Sequence, residues 1–139
     1  ASLSVNCPRT THIVRHASPN TALAAPAGFS QPPDLVTPRY KVPADRLFVL
    51  VREVADSQPR TFQAALYSGQ LQADYVVRSA MLNFPDLVMV QVLKDGADSS
   101  GLIVYSRSVY GRSDFGVNRK RVETWLAALQ TKLPPSSER

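Results

Sequence analysis

Residues 106–125, SRSVYGRSDFGVNRKRVETW, crowd three serines, two glycines, an aspartate, an asparagine and five basic residues between two apolar segments. Three chemistries could be built there. Gly111 and Gly116 match the glycine spacing of a phosphate-binding loop. Val117 and Asn118, however, stand where such a loop needs a lysine and a hydroxyl for phosphate and magnesium. Ser106, Ser108 or Ser113 beside Asp114 could serve a hydrolase. A serine nucleophile needs a base, though, and the two histidines, His12 and His16, lie near the N-terminus. No Gly-x-Ser-x-Gly elbow occurs either.

The third account is structural, and it explains every residue type without a ligand. Gly111 and Gly116 permit backbone angles that other residues avoid. Ser113, Asp114 or Asn118 can accept hydrogen bonds from the N–H groups at the start of a following helix. Arg107, Arg119 or Arg121 can clamp Asp114 or backbone carbonyls through the forked donors of the guanidinium. Two functional readings sit beside this scaffold. The local excess of positive charge at a helix start favours an anionic group near Arg107, Arg119 and Arg121. The rival is an enzyme of unknown reaction using Asp114 with a neighbouring Arg or Ser. It requires Asp114 exposed in a concave pocket.

Charge placement supports the first of these. The formal net charge is +5, and residues 107–121 alone hold five basic side chains against the single carboxylate of Asp114. Most of the remaining excess lies in the first 41 residues. A nucleic-acid binder adds stacking aromatics or a groove-reading motif to its basic face, and neither is evident, which disfavours that partner. His12 and His16 have the i, i+4 spacing of helix-borne metal ligands but lack a third ligand, so neither a metal nor any other cofactor is implied. The single cysteine, Cys7, permits no intrachain disulfide. The partner classes left are a protein or an anionic ligand, a membrane reached through a segment outside this chain, and a second copy of the chain. The sequence opens at Ala1 rather than methionine, as a trimmed or mature form would.

The elements that must position these residues follow from periodicity. With 139 residues, 44% of them hydrophobic, the chain can bury a core as one domain. Five of its eleven prolines fall in residues 1–35, which read as an extended arm. A short strand is expected around Val36–Lys41. Pro43 then opens a helix over 43–56, with Leu47, Leu50, Val51 and Val54 forming one apolar stripe. From Pro59 the period changes to two. RTFQAALY, LQADYVVRSAML, LVMVQVL and LIVYSRSVY read as four strands joined by short turns, the third apolar enough to be covered on both faces. Val122, Trp125, Leu126, Leu129 and Leu133 mark a second helix within 116–133, and residues 134–139 form a tail. The expectation is therefore an α+β domain over 36–133 in the order β-α-β-β-β-β-α: an antiparallel meander of four to five strands with both helices on one face. The opposite face should not be bare, and the arm or a second chain is expected to cover it.

VYSRSVYGRSDFGVNRKRVETWL closely resembles the C-terminal signature of a bacterial and plastid family known as domain of unknown function fourteen-ninety-nine. ADYVVRSAMLNFPDLVMVQV resembles its middle segment, and YKVPADRL the helix entry of its proteobacterial members. The likeness covers about residues 18–133. It implies that Arg78, Asp86, Arg107, Ser108, Gly111, Ser113, Asp114, Gly116, Asn118 and Arg119 occupy the family's motif positions. It brings no established activity, cofactor or substrate. It does imply an N-terminal hydrophobic segment in many bacterial relatives, hence a cell-envelope location on the periplasmic side. Relatives often carry cysteines in the segment matching SPNTALAAPAGFSQ. Ala25 and Ser30 stand near those places here, a departure that weakens any disulfide or redox role.

Overall fold

A computed structural model describes residues 20–80, 83–109 and 116–134. The elements are β1 (Thr21–Pro26), β2 (Leu35–Thr37), α1 (Ala44–Ser57), β3 (Thr61–Tyr67), β4 (Gln72–Arg78), β5 (Pro85–Lys94), β6 (Ser100–Ser108) and α2 (Val117–Lys132). The class is α+β, as expected. The sheet, however, has six strands in the order β2-β1-β6-β5-β4-β3, and it is mixed. From β3 to β6 it is the antiparallel meander that the alternating pattern implies. β1 then pairs antiparallel with β6, and β2 pairs parallel with β1.

The strand missing from the sequence reading is β1, which lies inside the expected arm. TALAAP holds one β-branched residue and a proline, so its intrinsic preference for a strand is weak. Tertiary context overrides that preference. Thr21 to Ala24 align with Arg107 to Val104 of β6, and Ala22, Leu23, Ala24 and Ala25 are buried. The small Ala22 and Ala24 face α2, whose packing partners include β1 and β6. The early strand expected around Val36–Lys41 is split. β2 covers Leu35–Thr37, and Tyr40 forms an isolated bridge with Ser100 where β1 has ended.

Both helices lie on one face of the sheet. The expected stripe of α1, Leu47, Leu50, Val51 and Val54, is buried there with Val122, Trp125 and Leu129 of α2. Period-two alternation supplies the opposing surface from Ala73, Tyr75, Val77, Val88, Val90, Val92, Leu102 and Val104. Trp125 meets Tyr75 edge to face, with ring centroids 5.8 Å apart. β5 is covered on both sides: Leu93 and Met89 turn away from the helices into a second cluster with Leu23, Ala25, Ile103 and Tyr105. That second face is not bare, and Phe29, from the turn after β1, packs on it. Among the described residues, no helix is long and apolar enough to cross a membrane.

Candidate functional site

β6 carries Ser106 and Ser108 two residues apart, so both project toward the helices. Their neighbours at this end of the sheet are Asp86, paired with Ser108 on β5, and Asn20, just before β1. α2 brings Asn118 and Arg121, three residues apart, down on the same spot. The Ser106 hydroxyl donates to Asn118 Oδ1 at 2.6 Å. Asn118 Nδ2 donates to the Asn20 carbonyl at 3.0 Å and to Ser108 Oγ at 2.8 Å. Arg121 Nη1 reaches Asn118 Oδ1 at 2.9 Å, Ser106 Oγ at 3.1 Å and Asp86 Oδ2 at 2.9 Å. Ser106 and Asn118 are fully buried, and the Arg121 and Asp86 side chains are each 13% exposed.

This network revises the expected role of Asn118. Its side chain joins the first turn of α2 to β6 and to the residue before β1, and Gly116, at φ 81°, stands at the helix cap instead. An L residue rarely adopts that backbone angle, which is the reason for a glycine there. The Ser106 hydroxyl is buried and spent on Asn118, and Ser108 Oγ accepts from the same amide. A buried polar group without a partner costs about 1–3 kcal/mol, so this interlocked cluster ties α2 to one register on the sheet.

The arginines expected to act together do not converge. Arg107 alternates with Ser106 and Ser108, so it projects from the opposite face of the sheet. Arg119 forms an exposed i, i+4 ion pair with Glu123 at 3.2 Å. Of the three, only Arg121 faces the junction. Gly111, Ser113 and Asp114 lie outside the described residues, as do Cys7, His12 and His16, so the capping and clamp expected of Asp114 are not placed. Among the described residues, no group of three or more His, Cys, Asp and Glu comes together.

Beside the network opens a pocket of about 410 Å³. One wall is α2, where Val117, Lys120, Arg121 and Thr124 recur at i, i+3, i+4 and i+7, with Trp125 next to them. The facing wall is the turn from α1 into β3, Gln58 to Thr61, together with the end of β4, Val77 to Ala80. Arg60 and Arg78 stand opposite each other just beyond the β3–β4 ladder. The Arg78 backbone N–H donates to the Arg60 carbonyl at 3.0 Å, and Arg60 Nε donates to the Arg78 carbonyl at 3.1 Å. Arg78 Nη1 also donates to the Asn83 carbonyl at 2.8 Å. Arg60 holds φ 52°, a left-handed conformation that costs a non-glycine residue on the order of 1–2 kcal/mol. Like charges directly across a strand pair are themselves destabilising.

Among the described residues the pocket therefore gathers Arg60, Arg78, Lys120 and Arg121 against one carboxylate, Asp86, and that carboxylate is engaged by Arg121. Sequence reasoning missed Arg60 and Lys120. Arg60 and Arg78 each lie nine residues from Gly69, so folding the chain about that turn sets them opposite each other. Lys120 belongs to a polar stripe that runs beside the apolar one already assigned to α2.

The family model described as Protein of unknown function (DUF1499) matches residues 6–129. The chain belongs to that family. The expected family positions divide on this DUF1499 fold. Asp86, Ser108 and Asn118 meet in the buried network, Arg78 lines the pocket, and Arg107 and Arg119 lie apart from both. No curated protein matches the chain.

Proposed function

We propose that this DUF1499 domain is a non-catalytic binding module of the bacterial cell envelope that takes an anionic group into the pocket between α2 and the β3–β4 end. The observation that carries the reading is the pairing of Arg60 and Arg78 opposite Lys120. Arg60, Arg78 and Lys120 all line one pocket, and the one carboxylate among its described residues, Asp86, is committed to Arg121. Arginine forks and a lysine ammonium suit carboxylate or phosphate oxygens, and an anion between them would relieve the cross-strand repulsion. Ser106 and Ser108, two of the three serines that could have served as nucleophile, are engaged in the neighbouring network, which favours binding over reaction. The periplasmic placement rests on the hydrophobic N-terminal segment that the family resemblance implies.

Thermal melts in phosphate and in chloride at matched ionic strength test the reading. A ligand bound only by the folded state raises the melting temperature, by about 2.7 kcal/mol of stability at a hundredfold excess over Kd. Phosphate should raise the melt of the parent more than that of an Arg60→Asn, Lys120→Ala double variant. An equal rise in both is the general stabilisation that excluded salts give every protein, and it refutes the site. Fractionation that returns the full-length protein to the cytosol removes the envelope part of the reading.

A further inference from the structure

The pocket is too large and too apolar for a bare inorganic anion. A five-atom oxyanion on the arginines would occupy only part of a pocket of about 410 Å³, a size suited to a larger ligand. Beside the charged groups and the polar Gln58, Thr61, Ser79 and Thr124, the lining has an apolar part, Pro59, Val77, Ala80, Val117 and Trp125. Val117 is 47% exposed at its edge. Phe84, also 47% exposed, stands beside the rim, where its carbonyl accepts the Ser79 backbone N–H at 2.9 Å. Cations and apolar surface in one cavity match a ligand that has both parts.

Resting on the anion-binding reading, we infer that the pocket takes an anionic amphiphile. Its phosphate or carboxylate head lies against Arg60, Arg78 and Lys120, and an apolar body lies along Val77, Pro59 and Trp125. The head fixes orientation through charge-assisted hydrogen bonds, and the body displaces water from apolar walls. The same chemistry could come from a free amphiphile or from a membrane lipid whose chain reaches the rim at Val117 and Phe84.

Trp125 is the only tryptophan in the chain and lines the cavity, so its emission responds to a ligand placed there. The full chain is titrated with decyl phosphate below its micelle concentration, with inorganic phosphate and with decanol. At about fourfold in affinity per buried methylene, decyl phosphate should bind at least about tenfold more tightly than inorganic phosphate. It should also bind more tightly than decanol, and Lys120→Ala should reduce that advantage. If decyl phosphate and inorganic phosphate saturate at the same concentration, the amphiphile inference falls while the anion reading stands. If decanol binds as well as decyl phosphate, or if neither phosphate binds, the anion reading itself fails. Vesicles of phosphatidylglycerol in phosphatidylcholine separate the sources. The Trp125 change with co-sedimentation on these, but not on phosphatidylcholine alone, identifies a membrane lipid. A response to the monomer alone identifies a free amphiphile.

Discussion

The Asp86–Arg121 pair offers the sharpest measurement of what holds α2 to the sheet. Both side chains are 13% exposed, their contact is 2.9 Å, and Arg121 also serves Ser106 and Asn118. Breaking a buried pair by removing one partner costs about 3–5 kcal/mol, because the other charge is left without compensation. This pair borders an open pocket, which places the cost near the lower end. Arg121→Ala strips Asp86 of its cation and takes a donor from two further acceptors, so ~3–4 kcal/mol is expected. Asp86→Ala should cost less, ~2–3 kcal/mol, since the guanidinium keeps its bonds to Ser106 and Asn118. The double variant leaves no stranded charge and should lose less than the two single losses added together. Urea unfolding followed by Trp125 emission and by circular dichroism measures all three. In a domain of this size each kcal/mol moves the melting temperature by roughly 3–5 °C, so Arg121→Ala should melt roughly 9–20 °C below the parent. If the losses add to within ~0.5 kcal/mol, the two residues are not coupled, and the reasoning from their geometry is refuted.

Asn118→Ala removes the acceptor for the Ser106 hydroxyl and the donor to Asn20 and Ser108 in a fully buried place. A loss of ~2–4 kcal/mol in urea unfolding is expected, and a loss below ~1 kcal/mol would show that the network is incidental. Arg60→Asn keeps a residue that tolerates the left-handed backbone but removes the charge. Its melt should stay within ~0.5 kcal/mol of the parent while the stabilisation by phosphate shrinks. Burial pushes the Tyr40 phenol from its ordinary 10.0 up to about 12. The unfolded chain therefore releases that proton first: the contribution is intact below pH 10 and is lost as pH rises toward 12. The difference corresponds to ~2–3 kcal/mol, and Tyr40→Phe should flatten the alkaline fall in melting temperature across that window.

What could be read from the sequence was whatever rests on repetition. The stripe of α1 and the alternation of β4 each repeat one signal several times, and their burial follows it. LVMVQVL announced a strand covered on both faces, and β5 is one. β1 gave no such signal. Its alanines suit the close approach of α2 and carry almost no strand preference, so only the β6 partner reveals it. The site failed to appear for a related reason. The dense charges of 107–121 do not stay together: alternation sends Arg107 to the far face and helical spacing sends Arg119 out to Glu123. Arg60 lies 60 positions before Lys120, and only the folded chain brings the two to one pocket.

The first turns of α2 serve two surfaces at once, and this governs how any variant there must be judged. Asn118, Arg121, Val122 and Trp125 bind the helix to the sheet, while Val117, Lys120 and Thr124 look into the pocket beside them. The two sets share the same turns on adjoining faces of the helix, so a helix unseated by the loss of Asn118 carries Lys120 away from Arg60 and Arg78 without touching a ligand. Loss of binding in Asn118→Ala would therefore say nothing about which atoms hold the anion. Lys120→Ala and Arg60→Asn are informative because they leave the buried network whole. Binding lost at unchanged stability locates the site, and binding lost with stability locates its support. The buried Ser106–Asn118–Arg121–Asp86 cluster thus supports the pocket from behind, because it anchors the helix that carries Lys120.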